Sequence, residues 1–257
     1  METAHHPDDQ KRLRLRRFAI LSGIILVVIG VLAVVAAIAG YFDRDPIRYY
    51  PSSNPHPPIV AVFLSGDMGT RWGIGSYVAP ALSARNIPVF TVNSPSAFGR
   101  RRTQGYIDAL IVRTARAALA RTGAQRLVLI GQSFGSDMIT SSLRAIPPDL
   151  RAKIASVILV VPGERIYFRA DASEIAYLGK PDVKGDAAIR AAPWAPITCI
   201  YGAKEDHSLC PLIGSARATL IELPGGHTLH HDPARLLRAI FLSLSPLLSS
   251  HSSGVQK

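Results

Sequence analysis

Residues 131–135 read Gly-Gln-Ser-Phe-Gly. A serine hydroxyl is a weak nucleophile until a base takes its proton and the backbone holds it in the open. Flanking glycines serve the second need, because a strand that turns sharply into a helix leaves its neighbours no room for side chains. The apolar run Arg126–Ile130 stops at Gly131, and the residues after Phe134 read as a helix, so Ser133 stands at such a turn. The amide of Phe134, at the helix start, is then a donor for an oxyanion. The competing reading is an ordinary serine in a tight turn.

A nucleophilic serine needs a base, and the base needs a carboxylate to orient it. Pro224-Gly225-Gly226-His227 follows the apolar run Ala218–Leu223, and its two glycines suit a loop that delivers an imidazole. The alternatives are a surface histidine or, with His230 and His231, a metal cluster. No second group of carboxylates or cysteines has ligand spacing, so neither metal nor cofactor is expected. The acid candidates, Glu205 and Asp206, follow the run Ile197–Gly202. Asp206 is preferred and Glu205 is the alternative; unused, either is a solvated loop carboxylate. The loop Ser65-Gly66-Asp67-Met68-Gly69 offers the amide of Asp67 as a second oxyanion donor, with Trp72 beside the site or in the core. Arg100, Arg101 and Arg102 form a basic run whose guanidinium forks suit phosphate oxygens, unless it is a solvated charged loop.

These residues need elements to hold them. Short apolar runs at 59–64, 87–92, 126–130, 157–161, 197–201 and 218–223 read as strands. Helical patterns at 74–85, 103–121, 134–145 and 233–248 separate most of them. Strands that are apolar throughout are buried on both faces, which predicts a doubly wound, mainly parallel sheet covered by helices. Such α/β folds place sites at the carboxyl ends of strands. The chain order serine, acid, histidine is that of the α/β-hydrolase type. Residues 162–196 show no clear alternation and read as a small lid or excursion.

The 257 residues carry a formal charge of +11 and are 48% hydrophobic, which fits one domain plus an appendage and argues against disorder. A basic balance suits nucleic acid or a phospholipid surface. No nucleic-acid motif is visible, so the expected partners are a phospholipid membrane and a lipid or other ester substrate. Residues 18–42 hold no formal charge and can cross ~30 Å of hydrocarbon. Before them, residues 11–17 read Lys-Arg-Leu-Arg-Leu-Arg-Arg, which keeps that end in the cytoplasm. The expected organisation is a basic cytoplasmic segment (1–17), a transmembrane signal-anchor (18–42), a Pro-rich extended linker (43–58) and the α/β domain (59–250). A cleaved signal peptide, cut after Ala37-Ile38-Ala39, is the alternative; the apolar run exceeds the usual ~7–15-residue core of such peptides. The only cysteines, Cys199 and Cys210, then lie outside the cytoplasm, where a disulfide persists.

Leu64–Trp72 (LSGDMGTRW), 98–103 (FGRRRT), 131–135 (GQSFG), 199–211 (CIYGAKEDHSLCP) and 224–227 (PGGH) together resemble the bacterial virulence protein VirJ family, including the VirJ-like half of AcvB. The resemblance spans about 59–245. It implies an α/β-hydrolase fold in the bacterial periplasm, with Ser133 as nucleophile. It also implies, from AcvB-type members, hydrolysis of an aminoacyl-phosphatidylglycerol such as the lysyl lipid. The chain departs from the family pattern at Met68, where a glycine is expected, and at Gly99, where an aromatic residue is common. It also carries an anchor where the family has a signal peptide.

Three functions are therefore on the table. One is a membrane-anchored serine hydrolase acting on an aminoacyl lipid ester from the outer side of the inner membrane. The others are a non-catalytic envelope or secretion partner on the same fold, and a peptidase or generic esterase.

Overall fold

A computed structural model of the chain describes residues 7–252; the first six residues of the expected cytoplasmic segment lie outside it. It comprises two compact units, which divide after Ile38. The first is helix α1 (Pro7–Ala39) as far as Ile38; within its stretch Arg14–Ala39 an 18-residue window has a mean hydropathy of 3.1. At ~1.5 Å per residue these 26 residues are long and apolar enough to cross a membrane.

The second unit is an α/β sandwich around a seven-stranded sheet. Its strands are β1 (Ile47–Tyr50), β2 (Ile59–Leu64), β3 (Val89–Val92), β4 (Arg126–Gln132) and β5 (Ile154–Val160). A two-stranded ribbon follows, β6 (Arg165–Ile166) and β7 (Val183–Lys184), and then β8 (Ile197–Gly202) and β9 (Ala218–Leu223) complete the sheet. The order across the sheet is β1-β3-β2-β4-β5-β8-β9. Every pairing is parallel except β1 with β3. The helices are α2 (Val78–Ser83), α3 (Ser94–Phe98), α4 (Gln104–Thr122), α5 (Phe134–Ser142), α6 (Pro148–Arg151), α7 (Gly185–Arg190), α8 (Leu209–Ile213) and α9 (Pro233–Ser252).

The sheet is central because its strands are apolar on both sides. Along β2, Val60, Val62 and Leu64 pack into one buried cluster with α4 and α5, while Ile59, Ala61 and Phe63 pack into another with α2 and α9. Each such fully buried Val, Ile or Phe contributes about 1.5–3 kcal/mol of apolar transfer. Local signals set the ends of the longest crossover helix. Thr103 Oγ1 accepts from the Tyr106 amide at 3.3 Å to start α4, and Gly123, at φ 68°, ends it by donating to the Leu119 carbonyl.

The expected linker at 43–58 is corrected. Residues 47–50 are an edge strand, paired antiparallel from Ile47 opposite Val92 to Tyr50 opposite Val89. Asn93 Nδ2 also donates to the carbonyls of Ala39 and Gly40, both at 3.2 Å. The α/β unit thus begins at Ala39, and the prolines flank a short edge strand, where a missing donor is tolerated. The expected helix at 74–85 is a 3₁₀ turn at Ile74–Tyr77 followed by α2.

The chain runs β2 to β3 toward one edge, then returns to place β4 on the other side of β2. The carboxyl ends of β2 and β4 therefore diverge side by side, with Leu64 opposite Gly131. A crevice at that switch point is where open parallel sheets bind ligands.

Candidate active site

Ser133 leaves β4 with φ 51° and ψ −121°, a conformation that L-residues rarely adopt and that costs about 1–3 kcal/mol. It is held there by its amide, which donates to the Val160 carbonyl at 2.8 Å, and by α5, which starts at the next residue. Both flanking glycines are required. A Cβ on Gly131 would lie 2.5 Å from the Cα of Ser136, and one on Gly135 would strike the carbonyl of Leu64.

The histidine and its acid arrive from the next strands. Ser133 Oγ lies 2.8 Å from His227 Nε2, and His227 Nδ1 lies 2.6 Å from Glu205 Oε1. His227 sits in the loop after β9, and Glu205 in the loop after β8. The two loops touch because Gly202 has no side chain: a Cβ there would lie 2.5 Å from the Gly225 carbonyl. The preference for Asp206 is corrected. Glu205 folds back, its Oε2 accepting from the Gly202 amide at 3.2 Å, and its side chain is 2% exposed. Asp206 is exposed at the pocket mouth instead. The longer glutamate side chain can return to the imidazole from that early loop position.

The loop after β2 closes the other side. Gly66 faces Ser133 closely, so that a Cβ there would sit 3.5 Å from the serine Cβ. Ser65 is buried and its Oγ accepts from the Ser94 amide at 2.9 Å, which fixes the loop to α3. Asn93 Oδ1 accepts from the Thr70 amide at 3.0 Å at the loop's far end. Asp67, Phe134 and Trp72 all line the pocket. The Phe134 amide is the first of its helix, so no helical carbonyl is available to it.

Arg100, Arg101 and Arg102 are not brought into the pocket. Arg101 pairs with Asp182, while Arg102 donates to the Ala97 carbonyl at 2.7 Å and stacks over Tyr106. The Arg102 amide also donates to the Phe168 carbonyl. Arg101 and Arg102 thus tie the start of α4 to neighbouring backbone and to the excursion. Cys199 and Cys210 form a disulfide joining β8 to α8, across the loop that carries Glu205.

Nothing in the sequence singled out Glu174 and Tyr177. They lie in the excursion between β6 and β7, which lines the pocket with Ala172, Glu174 and Tyr177. Tyr177 donates its hydroxyl proton to Asp67 Oδ2 at 3.2 Å and accepts from the Asp171 amide at 3.1 Å. Only the hydroxyl of residue 177 and the residue type of 67 carry that link, and neither has a spacing pattern.

The pocket has a volume of about 740 Å³. Its wall holds six carboxylates, Asp67, Asp137, Glu164, Glu174, Glu205 and Asp206, and one arginine, Arg165. That is the reverse of the chain's overall charge. Burial raises the Asp67 carboxyl above its ordinary range against the hydrogen bond from Tyr177, and burial lifts Asp137 further. Desolvation pulls the His227 imidazole down. The hydrogen bond and charge of Glu205, then the charges of Asp67 and Glu174, outweigh it and leave His227 above its ordinary value. A histidine held this way is a base toward Ser133 when neutral, and its cation is stabilised once it has taken the proton. Among the described residues, no three His, Cys, Asp or Glu side chains converge as metal ligands.

Comparison with known proteins follows the same lines. Residues 58–246 match the family described as bacterial virulence protein (VirJ). No curated protein sequence matches significantly. Est1E from Butyrivibrio proteoclasticus superposes with a TM-score of 0.59 at 12% identity, over 80% of this chain and 96% of its own. The esterase domain of a Rhodothermus marinus protein gives 0.52 at 14% identity, over 76% and 89%. The thioesterase domain from the curacin biosynthetic pathway gives 0.54 at 17% identity, over 76% and 94%. At these identities the likeness establishes the α/β-hydrolase fold.

Proposed function

The chain belongs to the bacterial virulence protein (VirJ) family, and from that membership and the site geometry we propose that it is a membrane-anchored serine hydrolase of an aminoacyl lipid ester. The observation that carries the reading is the line Ser133–His227–Glu205, with contacts of 2.8 and 2.6 Å, inside a pocket lined by carboxylates. His227 Nε2 takes the Ser133 proton as Oγ attacks the ester carbonyl carbon. The amides of Phe134 and Asp67 receive the oxyanion. The tetrahedral adduct collapses, the leaving alkoxide takes the proton from His227, and the acyl group stays on Oγ. Water, giving its proton to His227, then releases the acid and restores Ser133.

The pocket's charge supports an acyl group that carries a cation. The exposed carboxylates of its wall, Glu174 and Asp206, repel fatty-acid and phosphate anions and attract an ammonium, as on a lysyl or other aminoacyl ester. The phosphatidylglycerol half is suggested by the apolar α1 and by the family, whose AcvB-type members act on such lipids. The disulfide and the basic residues preceding the apolar stretch support placing the α/β unit in the periplasm, with α1 as a retained anchor.

The deciding experiment reconstitutes the full chain with lysyl-phosphatidylglycerol vesicles and measures free lysine. Release by wild type and its loss in Ser133→Ala is the expected result. No release by a chain that a fluorophosphonate labels at Ser133 would leave an esterase of another substrate. No labelling of folded protein would leave the non-catalytic envelope partner.

A further inference from the structure

The excursion between β6 and β7 has two faces. Ala172, Glu174 and Tyr177 line the pocket. Ile175 and Leu178 do not; they are 69% and 86% exposed, although nothing polar is asked of them there. Large apolar side chains this exposed, side by side on one short turn at the mouth of a site, mark a surface that meets something apolar. Exposed Arg169 and Lys180 flank them. That is the arrangement of a segment that dips into a bilayer while its cations stay at the phosphates.

A second observation selects lipid over a protein partner. The Ala172 amide donates to the Tyr41 hydroxyl at 3.4 Å, and Tyr41 packs on Gly99, where a Cβ would lie 3.0 Å from its ring. Tyr41 is two residues beyond Ala39, the last residue of α1. Two residues reach at most ~7 Å. If α1 crosses a bilayer, Tyr41 emerges at its surface and holds the excursion there. Phe42, next in the chain, is 70% exposed.

We propose that Phe42, Ile175 and Leu178 seat in the phospholipid surface, so that the pocket opens onto lipid and takes its ester directly from the bilayer. The excursion is then a docking rim rather than a lid that opens into water. This rests on the lipid reading above for its catalytic consequence, but the docking is testable without it.

The test uses the full chain in vesicles of phosphatidylethanolamine and phosphatidylglycerol. Both native cysteines are bonded to each other, so a single introduced cysteine is a unique labelling site. An environment-sensitive fluorophore on Leu178→Cys is expected to emit at shorter wavelength and to be quenched by spin-labelled lipid. The same fluorophore on Gln125→Cys, at the amino end of β4 and so across the sheet from the carboxyl ends that carry the site, stays unquenched. Equal behaviour at the two positions overturns the proposal. In the second arm, Ile175→Asp with Leu178→Asp is expected to slow lysyl-phosphatidylglycerol turnover in vesicles at least tenfold. Turnover of soluble p-nitrophenyl butyrate stays unchanged. Equal rates on both substrates, or equal losses on both, count against docking. If wild type cleaves no lipid ester, the substrate reading fails, and the fluorophore alone decides the docking.

Discussion

Glu205 Oε1 meets His227 Nδ1 at 2.6 Å, while its other oxygen accepts from the amide of Gly202 three residues earlier. The carboxylate is thus locked at both oxygens, one holding the imidazole and one holding the turn. Glu205→Gln keeps the size and the turn contact but offers His227 the wrong charge. It is expected to lower kcat by about 10³–10⁴ on a soluble ester, by analogy with loss of a triad carboxylate elsewhere. Asp206→Asn, at the pocket mouth, is expected to change kcat by less than about threefold. The converse ranking would return the role to Asp206.

The pH profile follows from the sign of the His227 shift. The carboxylates around it hold its pKa above the ordinary 6.5. The base must be neutral, so kcat/KM falls as pH drops through a value higher than that of free imidazole. Glu174→Gln removes one raising charge and is expected to move this acid limb to lower pH, without removing the relay contacts. For stability the same shift acts oppositely. The charged form is favoured in the folded state, so its contribution is full below 6.5 and fades as pH rises through the folded pKa. A limb that stays fixed in Glu174→Gln would show that its charge does not reach His227.

Much of this was legible in the residues. The six core strands read as apolar runs because both faces of a parallel sheet are buried, and Ser133 and His227 read as chemistry because glycines bracket or precede them. The acid was not separable from its neighbour: adjacent carboxylates have the same spacing signal, and only the fold-back of Glu205 on Gly202 distinguishes them. The edge strand at 47–50 was hidden by flanking prolines, which signal a linker as readily as an unpaired edge. The arginine run was open to two readings, phosphate contact and a charged loop, that sequence does not separate. A cation cluster near a site is attractive to phosphate on paper, but Asp182 and the Ala97 carbonyl already engage Arg101 and Arg102.

The turn at Ser133 gives a stability prediction. A Cβ on Gly135 would meet the Leu64 and Ser65 backbone, which cannot swing aside as a side chain can. Gly135→Ala is expected to cost about 3 kcal/mol or more and to lose activity with it. Gly105, within α4, has nothing within 4 Å of its would-be Cβ. Gly105→Ala is expected to gain about 0.5–1 kcal/mol at unchanged kcat. Urea midpoints of the two variants check both, and similar midpoints would refute the close-packed turn.

The disulfide makes a prediction about the acid rather than the nucleophile. Cys199 lies within β8 and Cys210 within α8, eleven residues apart, and Glu205 sits between them. Closing so short a loop stabilises the folded chain by about 3 kcal/mol through the unfolded ensemble. The Cys199→Ala, Cys210→Ala double variant is expected to unfold at lower urea by that amount. The β8 backbone is buried and its register with β9 does not need the sulfurs, so the sheet itself persists. What loosens is the segment 203–209, and with it the hold on His227. The variant should therefore lose kcat well below its unfolding midpoint, while fluorophosphonate still reaches Ser133 at a reduced rate. A variant that keeps full kcat until it unfolds would show that the Gly202 contact alone fixes Glu205.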